Sequence, residues 1–237
     1  MGIISLENKH LLKGRLVSEG KTRFVCTIEI EGTTTSASIP MSCKIGNLLA
    51  LNNNEILVEK HVHKQKYPYK LFAVKQGESF VPVSGSFAND IAFAFFSGQC
   101  PNLTREKTFS HYRADLFDNT TKTVIEVKSL IGKEKSLVLP NNDSKRTISQ
   151  LKKIKNLQAE GFSTHFCFVL FSQNVSEILL NTSSQFAVHF AAARELGMKV
   201  TILSVFCANR KNVCFEKSDM PIRNTTKGQK SVSSKES

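Results

Sequence analysis

The chain has 237 residues, with 32 Lys and Arg against 20 Asp and Glu, so its formal net charge is +12. With 41% hydrophobic residues and 17 Phe it can bury a core, which excludes a chain disordered throughout. No stretch approaches the roughly 20 apolar residues that span a bilayer, and Met1 to Glu7 turns polar too soon for a secretory signal, so the expected setting is the cytoplasm, with no membrane contact.

Residues 11–76 read as five short strands. Lys13 to Val17 comes first, then Arg23 to Ile30, the Glu31-Gly32 turn, Thr33 to Ile39, Glu55 to Glu59 and Lys70 to Val74. Strands this short, with turn residues between them, predict a small β-barrel. A five-stranded barrel of the OB type, whose strand face and loops bind oligonucleotides, fits the pattern; an SH3-like barrel fits it as well. Near Gln76-Gly77-Glu78 the character changes. Asn89 is expected to cap a helix running to Phe96 and closed by Gly98. Two adjacent strands follow, His111 to Phe117 and Thr123 to Lys128, around a polar turn at 118–121. The apolar spacing of Ile148, Leu151, Ile154 and Leu157 predicts a helix over 144–160 that Gly161 stops. Thr164 to Phe171 is nearly all apolar, as in a strand covered on both faces. A helix over 184–197 and a buried strand from Lys199 to Phe206 complete a mixed α/β domain.

The expected organisation is therefore a barrel over 1–78, an α/β domain over 79–222 and a disordered basic tail over 223–237. The tail is rich in Ser, Thr and Lys and nearly without apolar residues. None of the six cysteines forms a C-x-x-C pair, and four lie in apolar or β-branched runs. They read as buried free thiols.

The segment that carries chemistry is Asp115 and, after ten intervening residues, Glu126-Val127-Lys128. A hairpin loop of two residues (120–121) or four (119–122) sets Asp115 opposite Glu126. Residues opposite each other on antiparallel strands share a face with Cβ atoms about 4.5–5.5 Å apart, where like charges repel. Lys128 lies on that face too, two residues on. A divalent cation would compensate the repulsion, and Mg²⁺ takes oxygen ligands while keeping several waters. Mg²⁺ or Mn²⁺ held by Asp115 and Glu126, with Lys128 beside it, would activate water against a phosphodiester. This spacing is that of the PD-(D/E)xK nucleases. A hydrated hairpin with a salt bridge from Lys128 to one acid fits the same residues.

The following helix carries Lys145, Arg146, Lys152, Lys153 and Lys155 with no acid before Glu160. A face of cations without counter-charges is the electrostatic footprint of a nucleic-acid-binding protein. Arg15, Lys21 and Arg23 on the barrel and Arg113 beside Asp115 add to the candidate set, as do Lys145, Arg146, Lys152 and Lys153.

Over residues 11–222 the chain resembles the sugar fermentation stimulation protein family (SfsA). The basic strand Lys21-Thr22-Arg23-Phe24-Val25-Cys26 is similar to the family's N-terminal signature. Tyr112-Arg113-Ala114-Asp115-Leu116 and Ile125-Glu126-Val127-Lys128 resemble its Ser-Arg-x-Asp-Phe and Val-Glu-Val-Lys. Leu139-Pro140-Asn141, Phe186 to Leu196 and Gly197-Met198-Lys199-Val200 resemble later segments. Where the family has Arg-Gly-x-Lys-His, this chain has Arg146-Thr147-Ile148-Ser149-Gln150. The resemblance implies an OB-fold followed by a restriction-endonuclease-like PD-(D/E)xK domain and sequence-non-specific DNA binding. It also implies metal-dependent cleavage of DNA or RNA by Asp115, Glu126 and Lys128. The alternative is a non-catalytic DNA-binding regulator of sugar metabolism genes that keeps the nuclease fold.

Overall fold

The computed structural model describes every residue except 42–43, 50, 52–54, 62, 64, 110–111, 141–144 and 226–237. The first half of the chain contains strands β1 (Gly2–Ser5), β2 (Leu11–Glu19), β3 (Val25–Ile30), β4 (Thr33–Ser38), β5 (Glu55–Lys60), β6 (Tyr69–Gln76) and β7 (Ser79–Pro82), with one 3₁₀ turn at Ile45–Asn47. Along β3 the even positions Cys26, Ile28 and Ile30 point into the core and the odd ones are half-buried, the period of two that a sheet with one wet face requires. The strands pair in the order β4-β3-β2-β5-β6-β7, and a parallel pairing of β4 with β6 closes five of them into a barrel. A register shift in β2 between Leu16 and Ser18 lets that strand serve both β3 and β5, as bulges do at barrel corners. Of the two barrels the sequence admits, the structure has the OB-like one.

The second half contains α1 (Gly85–Ser97), β8 (Leu103–Arg105), β9 (Leu116–Asp118), β10 (Thr123–Leu130), β11 (Ser136–Leu139), α2 (Lys145–Ala159), β12 (Ser163–Leu170), β13 (Glu177–Asn181), α3 (Gln185–Glu195), β14 (Lys199–Ala208), β15 (Asn212–Ser218) and β16 (Ile222–Thr225). A seven-stranded sheet runs β1-β15-β14-β12-β10-β9-β8, and its centre, β10, β12 and β14, is parallel. The apolar run on β12 divides cleanly between the two faces. Cys167, Val169 and Phe171 join a core with α1 and the barrel, whereas Phe166, Phe168 and Leu170 pack under α2 and α3. Gly161 and Gly197 follow α2 and α3 with φ of 87° and 93°, the left-handed conformation that ends a helix without a Cβ penalty. Among the described residues no helix is long and apolar enough to cross a membrane.

Four expectations are corrected. The α1 helix starts at Gly85 after Ser84, and Asn89 lies inside it rather than capping it. The first strand of the hairpin is only Leu116–Asp118, because the chain before it pairs with residues 105–109 instead. Arg223 to Thr225 belong to β16, which pairs with β13 in a three-stranded parallel sheet β11-β13-β16, and the rest of the expected tail lies outside the described residues. β1 also departs from the sequence-based division, since residues 2–5 pair with β15 of the large sheet and not with the barrel. Barrel and sheet share one core. Phe87 of α1 meets Phe72 of β6 at 5.1 Å and Phe171 after β12 at 6.4 Å between ring centroids. Ser79 Oγ both accepts from Ala208 N (3.1 Å) and donates to Ala208 O (3.2 Å) across the same boundary. Replacing Phe87 by Ala should therefore lower the unfolding free energy by about 3–5 kcal/mol. Urea titration followed by far-UV circular dichroism checks this.

Candidate active site

The hairpin pairs Thr123 with Asp118, Val124 with Phe117 and Ile125 with Leu116, and the ladder stops there. One step further, Asp115 would face Glu126, the register that a four-residue loop dictates. The main chain does not continue the ladder because Asp115 replaces it with its side chain. Its Oδ2 accepts from Val127 N at 2.9 Å, and its Oδ1 accepts from Asn89 Nδ2 at 3.3 Å. The backbone of Asp115 turns the other way, where its carbonyl accepts from Glu106 N at 2.9 Å. Phe117 and Val124 belong to the core under α2 and α3, so Asp115, Glu126 and Lys128, at the same parity, face that side.

Glu126 is completely buried. Tyr112 Oη donates to its Oε2, and Lys128 Nζ donates to its Oε1 at 2.5 Å. Lys128 Nζ also donates to Gln150 Oε1 on α2, at 2.9 Å. Burial pushes the Glu126 carboxyl above its ordinary range; the Lys128 ammonium opposes this, and the neighbouring Asp115 charge reinforces it. Tyr112 is also buried, and burial followed by the Glu126 charge drives its hydroxyl pKa up. The phenol therefore stays a donor to the carboxylate.

Asp115 and Lys128 line a cleft of about 1250 Å³ between the barrel and the sheet, whereas Glu126 and Tyr112 are buried and outside its lining. Its lining includes Asp115, Asn89 and Lys128, Arg146 and Gln150 of α2, and Arg23 and Asn47 of the barrel. The structure thus gathers Asp115, Glu126 and Lys128 in one place and brings Arg23 and Arg146 to it. It does not gather the other cations. Arg15 is paired with Glu29 at 2.7 Å and Arg113 with Glu106, both on exposed surface. Lys145, Lys152 and Lys153 are outside the cleft lining, and Lys152 lies near His189 of α3, where with burial and Lys155 it holds that imidazole below its usual range. Lys21 is exposed, two residues before Arg23.

Three members of the site were not singled out from the sequence. Gln150 carries a signal, since it stands one helical turn beyond Arg146 on the same face. Asn89 is a polar residue in a mostly apolar helix, which is also how a cap residue reads. Tyr112 shows no signal short of the fold.

Two carboxylates supply the hard oxygen donors. Among the described residues no group of three or more His, Cys, Asp and Glu is arranged to hold an ion, so water must complete any coordination. That fits a divalent cation that retains several waters; of the two acids Asp115 lines the cleft and Glu126 is buried. A raised carboxyl pKa means that the folded chain holds this proton more tightly than the unfolded one. The associated stability is full below the ordinary 4.5 of glutamate and falls as pH rises through the folded value. In EDTA, Glu126→Gln should therefore match wild type in acid and become the more stable protein toward neutrality. Urea midpoints measured across that pH range check the crossing; parallel curves would contradict it.

Comparisons with known proteins find a family model, curated relatives and a solved structure similar to this chain. A family model described as the sugar fermentation stimulation protein RE domain (SfsA) matches residues 86–211, a span that holds Asn89, Asp115, Glu126, Lys128 and Gln150. A sugar fermentation stimulation protein homolog of Clostridium acetobutylicum is 25% identical over 166 residues, 65% of this chain and 72% of that protein. A homolog of the same description from Thermosipho melanesiensis is 24% identical over 206 residues, 86% of this chain and 90% of the other. The structure of Pyrococcus furiosus SfsA in complex with Ca²⁺ superposes with a TM-score of 0.76 at 15% identity, covering 94% of this chain and 99% of that one. The fold is shared along nearly the whole chain.

Proposed function

We propose a function from one premise: the chain belongs to the sugar fermentation stimulation protein family. It is a sequence-non-specific nucleic-acid-binding protein that hydrolyses phosphodiester bonds with a divalent cation, Mg²⁺ or Mn²⁺. The observation that carries this reading is that Asp115, Lys128 and Arg146 line one cleft and that Lys128 donates to the buried Glu126 on the same strand. The Ca²⁺ complex of the Pyrococcus furiosus relative supports a divalent-ion site.

Asp115 and Glu126 would hold the cation. When bound, it polarises a phosphoryl oxygen and lowers the pKa of water. Asn89 and Val127 N–H fix the Asp115 carboxylate, so that its remaining lone pairs face the cleft. Tyr112 pins one oxygen of Glu126 and leaves the other to be shared. Gln150 holds the Lys128 ammonium at the cleft, where a fixed positive charge stabilises negative charge developing on the phosphate. Arg146 and Arg23, which also line the cleft, take flanking phosphates. Arginine suits that task because its planar fork matches phosphate oxygens.

A second reading, a DNA-binding regulator without catalysis, is favoured by one observation. Glu126 is completely buried and both its oxygens are already engaged. Plasmid and oligonucleotide incubations with Mg²⁺ or Mn²⁺ separate the two. Wild type should cleave, and Asp115→Asn and Glu126→Gln should each slow cleavage by about 10²-fold or more while binding in EDTA persists. Binding without cleavage in wild type would select the regulator; wild-type rates in either variant would remove the metal assignment.

The charge on α2 makes a separate prediction. Arg146→Ala should weaken binding to every sequence alike and flatten the dependence of log K on log salt by about 0.7–0.9, the loss of one phosphate contact. Lys152→Ala should leave the slope unchanged. Fluorescence anisotropy over a salt series measures both, and equal slopes for Arg146→Ala and wild type would take Arg146 out of the interface.

A further inference from the structure

We infer that the strand this cleft accepts is single-stranded, and that the barrel recognises it by stacking an unpaired base on Phe24. The inference rests on the nucleic-acid reading above. It starts from the turn between β2 and β3, where Lys21 to Phe24 are all exposed. The turn is fixed at both ends: Gly20 N donates to Val25 O at 2.8 Å, and Ile39 N donates to Phe24 O at 2.8 Å. On this rigid backbone the Phe24 ring is 52% exposed. Single exposed apolar residues are ordinary on protein surfaces, so exposure alone decides nothing.

Two further observations do. The Arg23 guanidinium lies over the Phe24 ring, 4.6 Å from its centroid. Arg23 itself lines the cleft that holds Asp115 and Lys128. A half-exposed aromatic therefore touches a cation that lines the candidate active site and that has no acidic partner among the described residues. Proteins that hold single strands pair these two elements, a positive groove for the backbone and aromatic rings for the bases. The volume agrees. About 1250 Å³ exceeds the roughly 300–1,000 Å³ of a small-molecule pocket and suits several consecutive nucleotides.

Charge complementarity fits the same occupant. Arg23 of the barrel, Lys133 and Arg146 all line the cleft, with Asp115 and Glu134 the acids of the lining. A backbone threading through it meets cations from both the barrel and α2. A duplex cannot use the ring, because the faces of its internal bases are covered by their neighbours, and exposing one costs a few kcal/mol.

The test uses the full-length protein in EDTA at one salt concentration, with labelled oligothymidylate and a duplex of equal length. Wild type should bind the single strand more tightly. Phe24→Ala should weaken that binding about tenfold and leave duplex affinity unchanged. Phe24→Trp, which keeps a ring and guards against a folding artefact, should preserve single-strand affinity. Equal losses on both probes, or none on the single strand, would overturn the inference and leave the nucleic-acid reading standing. Failure of wild type to bind either probe would overturn both. Ring-dependent single-strand binding without cleavage in Mg²⁺ or Mn²⁺ would support the inference and remove only the catalytic step.

Discussion

A carboxylate with no solvent exposure, Glu126 on the central sheet, is the constraint around which the rest of this site is arranged. Burying an unpaired charge costs several kcal/mol even after relaxation, and the Asp115 charge nearby adds to it. The surroundings answer with a phenol on one oxygen and an ammonium on the other. Each compensating group then needs its own support. Gln150 on α2 takes the second hydrogen bond of Lys128, and the hydrophobic stripe Leu151, Ile154 and Leu157 fixes α2 against the sheet so that Gln150 can reach. A polar network of this kind is worth having only when every member is satisfied. Here the satisfaction is carried by residues from three separate elements.

That demand explains why the barrel and the α/β sheet are not loosely joined. The cleft is made from both, and its width depends on their relative placement. Phe87 spans the boundary, and Ser79 and the β1–β15 pairing tie it at two further points. A hinge at the expected boundary near residue 78 would have let Arg23 drift away from Asp115. The shared core holds the two walls in register.

Much of this was legible in the residues. The barrel strands, the pairing sum that sets Asp115 against Glu126, and the helix over 145–159 all follow from local periodicity and loop length. The elements that were missed are strands of three to seven residues, β1, β7, β8, β11, β13, β15 and β16, too short or too mixed in polarity to show a period. The cations show a different limit. Arg15 and Arg113 looked free in sequence because their partners, Glu29 and Glu106, stand 14 and 7 residues away and meet them only once strands pair. Asn89 looked like a cap because nothing in a helix sequence says that a strand will end beside it.

The end of that strand is where chemistry and folding meet. Antiparallel ladders normally satisfy every backbone N–H, and a ladder that stops leaves one open. At Val127 the open N–H is taken by the Asp115 side chain, so the break in the sheet and the orientation of an acid are one event. The same break turns the preceding chain toward β8, which brings Tyr112 under Glu126. Extending the ladder by one backbone pair would move Asp115 off Val127 N and separate it from Asn89, even with every site residue still present. A motif of Asp and Glu-x-Lys is therefore necessary and insufficient here. What makes it a site is that β9 stops after pairing Leu116 with Ile125, and the residue that stops it is Asp115.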